Sequence, residues 1–553
     1  MEPTYHQKSE AYDAEKNSVD VVTRLPADQE LAGEQPLQRQ LKVRHIQMIS
    51  IGGVIGTGLF LGTANGLRKG GPLGLFLGFS AIGSVTYCVM VALGEMVAHL
   101  PVPGGHITLA QRFVNPSLSF TMGWNYWYNW TIVLPAELNA AAVLIGYWSK
   151  NINPAVWITI TLVVAVAINF GGTRFYGEAE FWFAIIKIVT IVGLIILGII
   201  LDAGGGPDHD PIGFRYWRNP GPFVQRLGIA GATGRFLGFF AVLTQAAFSY
   251  IGTEIVAIAA GEAKNPRKSL PRAIKGVYIR IIVFYLLGTF VIGLLVPSND
   301  PRLKLGSGTA ASSPFVIAIN NAGIKALPSI INAALLSSAW SAASSDLYTS
   351  SRALYGLALN GNAPKFLRKV NSWGLPWVCV LIGTAFSFLS YMSAGSTNAG
   401  TVFNWFANMT SACGLLTWMG ILYTYLRFHK ATKAQGVDRR TLAFTAPLQP
   451  YLSWYAFIFI GVILFFQGWE AFYQYGSPGY VFPKSDFVTQ YFPVWFAPVL
   501  YFAHAIYTRG WRQVKPAEAD LVSGSRGADI DDVDDEEDKP KNFVQKVWAF
   551  LTT

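Results

Sequence analysis

Charge is what this sequence has least of. Only 13% of its 553 residues are Asp, Glu, Lys or Arg, about half the share of an ordinary soluble protein. Three cysteines, Cys88, Cys379 and Cys413, lie inside apolar runs, so a disulfide framework is not expected. The seven histidines are scattered and none pairs with a cysteine, which leaves no metal-ligand spacing and no concentrated catalytic set. No GxxxxGK[ST] stretch occurs, so the chain carries no P-loop ATPase. The first 45 residues are polar and hold no apolar core of a cleavable signal. Basic residues come in short clusters between apolar runs. They read as topology signals rather than a nucleic-acid stripe, despite a net charge of +10.

What is present is apolar surface. The hydrophobic fraction is 52% and the mean hydropathy +0.35. The 55 glycines and 17 tryptophans suit membrane spans and their interfaces. Stretches long enough to cross a bilayer are expected near 46–66, 73–97, 117–148, 155–172, 180–201, 237–260, 274–296, 327–356, 376–394, 400–427, 450–472 and 490–508. This predicts an all-α polytopic membrane protein with twelve spans. The even-numbered loops and the two tails hold most of the Lys and Arg, including KNPRKSLPRAIK and RFHKATKAQGVDRR. Both termini are therefore expected in the cytoplasm. The triplets at Asn129 and Asn408 fall within expected spans and are read as chance matches to a glycosylation signal.

Two spans are interrupted. GGVIGTGLF (Gly52 to Phe60) and FSYIGTEIV (Phe248 to Val256) each place small residues in mid-span, five spans apart. Corresponding broken helices point to an inverted-repeat secondary transporter. Unwound backbone at that depth is tolerated where it lines a cavity. Freed amides there suit a carboxylate and freed carbonyls an ammonium, so the two breaks suit a zwitterion. The pairs Gly52/Gly56 and Gly58/Gly62 also fit ordinary close packing of continuous helices.

The stretches LKVRHIQMISIGGVIGTGLFLGTA, LGEMVAHLPVPGG, GWNYWYNW, FSYIGTEIVAIAAGEAKNPRKSLPRA and SDLYTSSRALYGLA resemble fungal amino-acid permeases of the amino acid–polyamine–organocation superfamily. The likeness runs in order from about residue 41 to 510. It implies a five-plus-five inverted repeat with discontinuous helices 1 and 6 and two further helices, and proton-coupled amino-acid uptake. The expected organisation is a disordered N-tail (1–45), two repeats (46–201 and 237–427), spans eleven and twelve (450–508) and an acidic C-tail (509–553). By the same resemblance, amides around Gly56, Thr57 and Gly58 hold the substrate carboxylate. Carbonyls of Phe248, Ser249 and Ile251 take its ammonium, and Phe248 matches an aromatic that closes over substrate. Gly52, Gly53, Gly252 and Glu254 support the breaks.

Ionisable groups at bilayer depth are functional hypotheses by default. Glu137 has two functional readings, substrate contact and proton path, beside a structural hydrogen bond. Lys187 is expected to couple transport to protons, since a span-five lysine stands in for a bound cation in relatives without a sodium requirement. Snorkelling to the interface is its bland alternative. Asp346 reads as a packing or gating group, while Arg280 and Glu95 sit close to span ends. No cofactor or metal is expected, the proton gradient being the driving force. The outer loop GGGPDHDPIGFRYWRNPGPF and GWNYWYNW look closest to the dicarboxylic branch, which implies glutamate or aspartate. A broad neutral carrier and an amino-acid-sensing receptor stay open. The resemblance also implies the plasma membrane. Lys8 and Lys16 in the N-tail are candidate acceptors for ubiquitin-ligase machinery.

Overall fold

The computed structural model describes residues 56–255, 274 and 276–523, except 103, 150, 305–312, 372–373, 396–397, 443 and 474–479. All regular structure among these residues is helical. Gly52, Gly53, Lys8, Lys16 and the acidic run Asp529 to Asp538 lie outside the described residues.

A π-helical turn, Gly58–Gly62, leads into α1, Thr63–His99. The expected spans 46–66 and 73–97 thus meet in one helical run bent at a corner. Gly71 makes the corner with φ +78, and Pro72 opens the second arm. Glycine is required there. A Cβ would meet the Pro222 carbonyl oxygen at 2.7 Å and Phe223 Cα at 2.9 Å, and positive φ already disfavours one. Pro72 lacks an N–H, which the first turn of a helix leaves unpaired anyway. The loop after α5 clasps the corner, with Leu73 N–H donating to Pro222 O (3.0 Å) and Val224 N–H to Gly70 O (3.2 Å).

Then follow α2 (Gly105–Phe113), α3 (Pro116–Ile145), α4 (Pro154–Phe170) and α5 (Gly172–Asp202). Helices α3 and α4 begin on Asn caps before a proline. Asn115 accepts from Leu118 N–H and Asn153 from Ala155 N–H. The second half holds α6 (Gly231–Tyr250), α7 (Leu287–Leu295, entered through a π turn, Ile281–Leu286) and α8 (Pro314–Asn321). It continues with α9 (Leu327–Leu359), α10 (Trp377–Ser387) and α11 (Ala399–Ala434), and ends with α12 (Tyr451–Phe466) and α13 (Lys484–Thr508).

Among the described residues, five helical segments are long and apolar enough to cross a membrane. They are Gly58–His99, Phe175–Asp202, Gly276–Leu295, Trp377–Ala394 and Tyr451–Phe472. The long helices α3, α9 and α11 fall short of that hydropathy for a physical reason. They bury Asn, Ser, Thr and carboxylate side chains against one another. Asn125 of α3 donates to Cys413 O and Thr417 Oγ1 of α11, both at 2.9 Å. Asn332 of α9 donates to Leu144 O of α3 at 2.7 Å. Such side chains join helices where lipid offers no hydrophobic drive for association. The apolar side chains of α5, α10 and α12 instead face outward, among them Val189, Ile196, Leu381, Ile458 and Phe465.

Two clasps close one end of the bundle. Fully buried Glu95 of α1 takes a bidentate pair from Arg439 (2.7 Å twice), the Tyr425 hydroxyl (2.8 Å) and Ala446 N–H (2.8 Å). After α13, Arg509 at φ +53 turns the chain back, and residues 510–523 lie across α2, α3 and α11. Val514 N–H donates to Val114 O (2.9 Å), and the Val514 carbonyl accepts from Arg427. Gln435 donates to Pro516 O (3.0 Å) and Ala519 O (2.7 Å), while Ala519 and Leu521 are buried. The beginning of the expected tail is therefore packed structure.

Candidate functional site

Helix α6 stops at Tyr250. Ile251 is extended (φ −61, ψ 142) and Gly252 takes φ +96. The break is held by side chains. Glu254 Oε2 accepts from Gly252 N–H (3.2 Å) and from Trp418 Nε1 on α11 (3.1 Å), while the Thr253 hydroxyl donates to Tyr250 O (2.6 Å). The Tyr285 hydroxyl donates to Ser249 O at 2.9 Å. One of the three carbonyls expected to face a ligand thus already accepts a bond. Ile251 packs on Gly414, where a Cβ would come within 2.4 Å of it.

The described segment that opens at Gly56 lies against this break. Gly56 is a bend, Thr57 follows, and the chain winds into the π turn at Gly58. Such turns are mostly single and are frequent at functional sites. A Cβ on Gly58 would meet Ser249 Cα and Oγ at 2.9 Å and Phe248 Cδ1 at 3.1 Å. The two backbones are therefore in direct contact. Phe248 is buried and meets Phe403 of α11 edge-on, with centroids 5.8 Å apart. The side of the junction is lined by Glu137 of α3, whose Oε1 accepts from the Thr57 hydroxyl at 2.8 Å. Its Oε2 has no hydrogen-bond partner among the described residues.

Lys187 forms a second polar centre. It is 1% exposed, and its Nζ lies 3.7 Å from Oε1 of Glu180, also 1% exposed. It does not snorkel. Glu180 Oε2 accepts from the Ser341 hydroxyl of α9 at 2.6 Å. Glu137 and Asp346 both lie within electrostatic reach of Lys187. Glu180 is a residue that sequence reasoning misses, because the expected span 180–201 puts it at an interface. Helix α5 in fact starts at Gly172. The available signal was the seven-residue spacing to Lys187, two helical turns and so one face. Arg280 is buried in the π-turn region with Nε donating to Gly276 O at 3.2 Å.

Residues 45–517 match the amino acid permease family. The chain belongs to that family. Its relatives include the dicarboxylic amino acid permease of Saccharomyces cerevisiae, 44% identical over 82% of this chain and 75% of that protein. A proline-specific permease of Emericella nidulans is 41% identical over 93% of each chain. The lysine-specific permease of Saccharomyces cerevisiae is 41% identical over 93% of this chain and 83% of its own. Among solved structures, a mutant of the Eremococcus coleocola manganese transporter superposes with a TM-score of 0.54 at 14% identity. It covers 86% of this chain and 96% of that one. At that identity the likeness concerns the fold alone. The amino acid permease described here is thus a multi-pass membrane protein that transports amino acids, and not an enzyme.

Proposed function

We propose that this permease is a twelve-span, five-plus-five inverted-repeat symporter that imports L-amino acids with protons by alternating access, with α12 and α13 outside the repeats. The observation carrying the reading is the direct contact of the two interruptions at Gly58 and Ser249. Amides at Gly56, Thr57 and Gly58 receive the substrate carboxylate, and carbonyls of Phe248 and Ile251 its ammonium, with Ser249 O shared with Tyr285. Phe248 closes the site, and Glu137 either meets the substrate or passes its proton to Lys187. A fixed ammonium at Lys187 favours protons over sodium, because it would repel a second cation. The protein resides in the plasma membrane with both termini in the cytoplasm, where Lys8 and Lys16 are offered to ubiquitin-ligase machinery.

Acidic amino acids are the preferred substrates in this reading, supported by the dicarboxylic relative. A broader neutral range is the second reading. The proline-specific relative is nearly as similar, and the carboxylates of Glu137, Glu180 and Asp346 oppose an anionic substrate. Uptake of labelled glutamate and leucine in a yeast without its own permeases, with and without a protonophore, tests both. Protonophore-sensitive glutamate uptake competed only by aspartate supports the acidic reading. Broadly competed leucine uptake replaces it, and uptake indifferent to the protonophore overturns proton symport. No uptake despite surface delivery would leave an amino-acid receptor instead.

A further inference from the structure

Three buried carboxylates, Glu137 on α3, Glu180 on α5 and Asp346 on α9, lie within electrostatic reach of one buried ammonium, Lys187, or of one another. All four side chains are at least nine-tenths buried. One oxygen of each carboxylate, Glu137 Oε2, Glu180 Oε1 and Asp346 Oδ2, has no hydrogen-bond donor among the described residues. Glu180 Oε1 is the one beside Lys187. Asp346 comes from a different helix, and its Oδ2 is left without a donor. With every group ionised the cluster carries a net charge of minus two in a water-poor interior, where unpaired charge is strongly disfavoured. A proton on Asp346 or Glu180 halves that imbalance, to minus one, and gives the acid an O–H to donate.

We propose that Glu180 and Asp346, with Lys187, are the site where this carrier holds and releases its transported proton. This rests on the proton-symport reading above. Protonation makes one carboxyl O–H bond and nothing else, and release returns the proton to water. The path runs from Glu137, bonded to Thr57 at the first interruption, past Lys187 to Glu180 and Asp346. Beyond it, the Arg352 guanidinium sits 3.2 Å above the Tyr348 ring, and Tyr348 stacks on Tyr176 at 3.9 Å. The Tyr176 hydroxyl donates to Ser345 at 3.1 Å. That stack lies on the C-terminal side of Asp346 along α9. Among the described residues, Tyr176 is a further titratable group interacting with Glu180, and Tyr348 and Arg352 lie behind it.

The test uses the full chain in proteoliposomes. It compares accumulation of labelled substrate under an imposed pH gradient with substrate exchange at equal pH. Glu180→Gln and Asp346→Asn are expected to retain exchange but lose accumulation by about tenfold or more. Accumulation by both variants at the wild-type level overturns the inference. If the wild type itself accumulates nothing under the gradient, the symport reading fails first, a distinguishable result. Should either variant fail to fold, Ser341→Ala carries the test, because it removes only the hydroxyl bonded to Glu180. Its pH midpoint for accumulation should move by about half a unit or more, and an unmoved midpoint overturns the role of Glu180.

Discussion

Gly58→Ala is the smallest change that separates the two interruptions. The new methyl would stand 2.9 Å from Ser249 Cα and Oγ and 3.1 Å from Phe248 Cδ1. Carbon atoms rest at about 3.5–4.0 Å, so the α6 break must retreat by about 0.6–1.1 Å. Ser249 Cα is backbone and cannot rotate aside. Overpacking of this kind costs about 1–3 kcal/mol, or roughly 5–150-fold in an equilibrium. The loss should fall on the closed, substrate-holding arrangement. Uptake kinetics at matched surface level, read from a fluorescent fusion, are expected to show KM raised or rate lowered by about tenfold. Gly56→Ala controls for stability: among the described residues its methyl would meet only Glu137 Oε1 at 3.8 Å, an ordinary contact, so the melting temperature should stay put. Wild-type kinetics in a well-surfaced Gly58→Ala protein would refute the close-contact argument.

Further outcomes follow from other contacts. Glu254→Ala leaves Gly252 N–H and Trp418 Nε1 without their shared acceptor, so thermal melting in detergent should report a loss of about 1–3 kcal/mol. Glu95→Ala takes the carboxylate from Arg439, which keeps only Tyr425 Oη and Ala446 O, and leaves a buried N–H without its acceptor. A loss of about 1–3 kcal/mol should appear as reduced surface delivery. In the loop after α7, burial acts to raise the Asp300 carboxyl, but the Arg302 side chain and N–H hold it below its usual value. That contribution is present above about pH 4 and fades as pH falls through the lower folded value. Melting curves of wild type and Asp300→Asn should therefore differ near neutrality and converge in acid.

Helix positions were largely legible, because apolar runs of bilayer length are a strong signal. The segment expected at 117–148 is Pro116–Ile145, and 376–394 is Trp377–Ala394 with its 3₁₀ turn, Phe388–Ala394. Boundaries failed where polar residues enter a helix. Helix α5 reaches back to Gly172 through a stretch that reads as loop, and Glu180 was lost with it. The mid-span glycines lie where the described backbone enters or leaves a helix, at Gly56 and at Ile251–Gly252, but they carry no sign of the contact between the two segments. That depends on how α6 lies against the π turn, a tertiary fact with no local trace. The neighbours of Lys187 come from three helices, and only the one on its own helix was within reach of spacing arguments.

The strap at 510–523 joins residues made far apart in time. Val514 lies 400 positions after Val114, whose carbonyl it bonds. At about 5–20 residues per second of synthesis, the α2–α3 junction waits roughly 20–80 s for that partner. Arg427 waits much less. Among the described residues this end of the bundle is therefore finished last, and a chain stopped at the end of α13 would carry every described helix while leaving that rim unsealed.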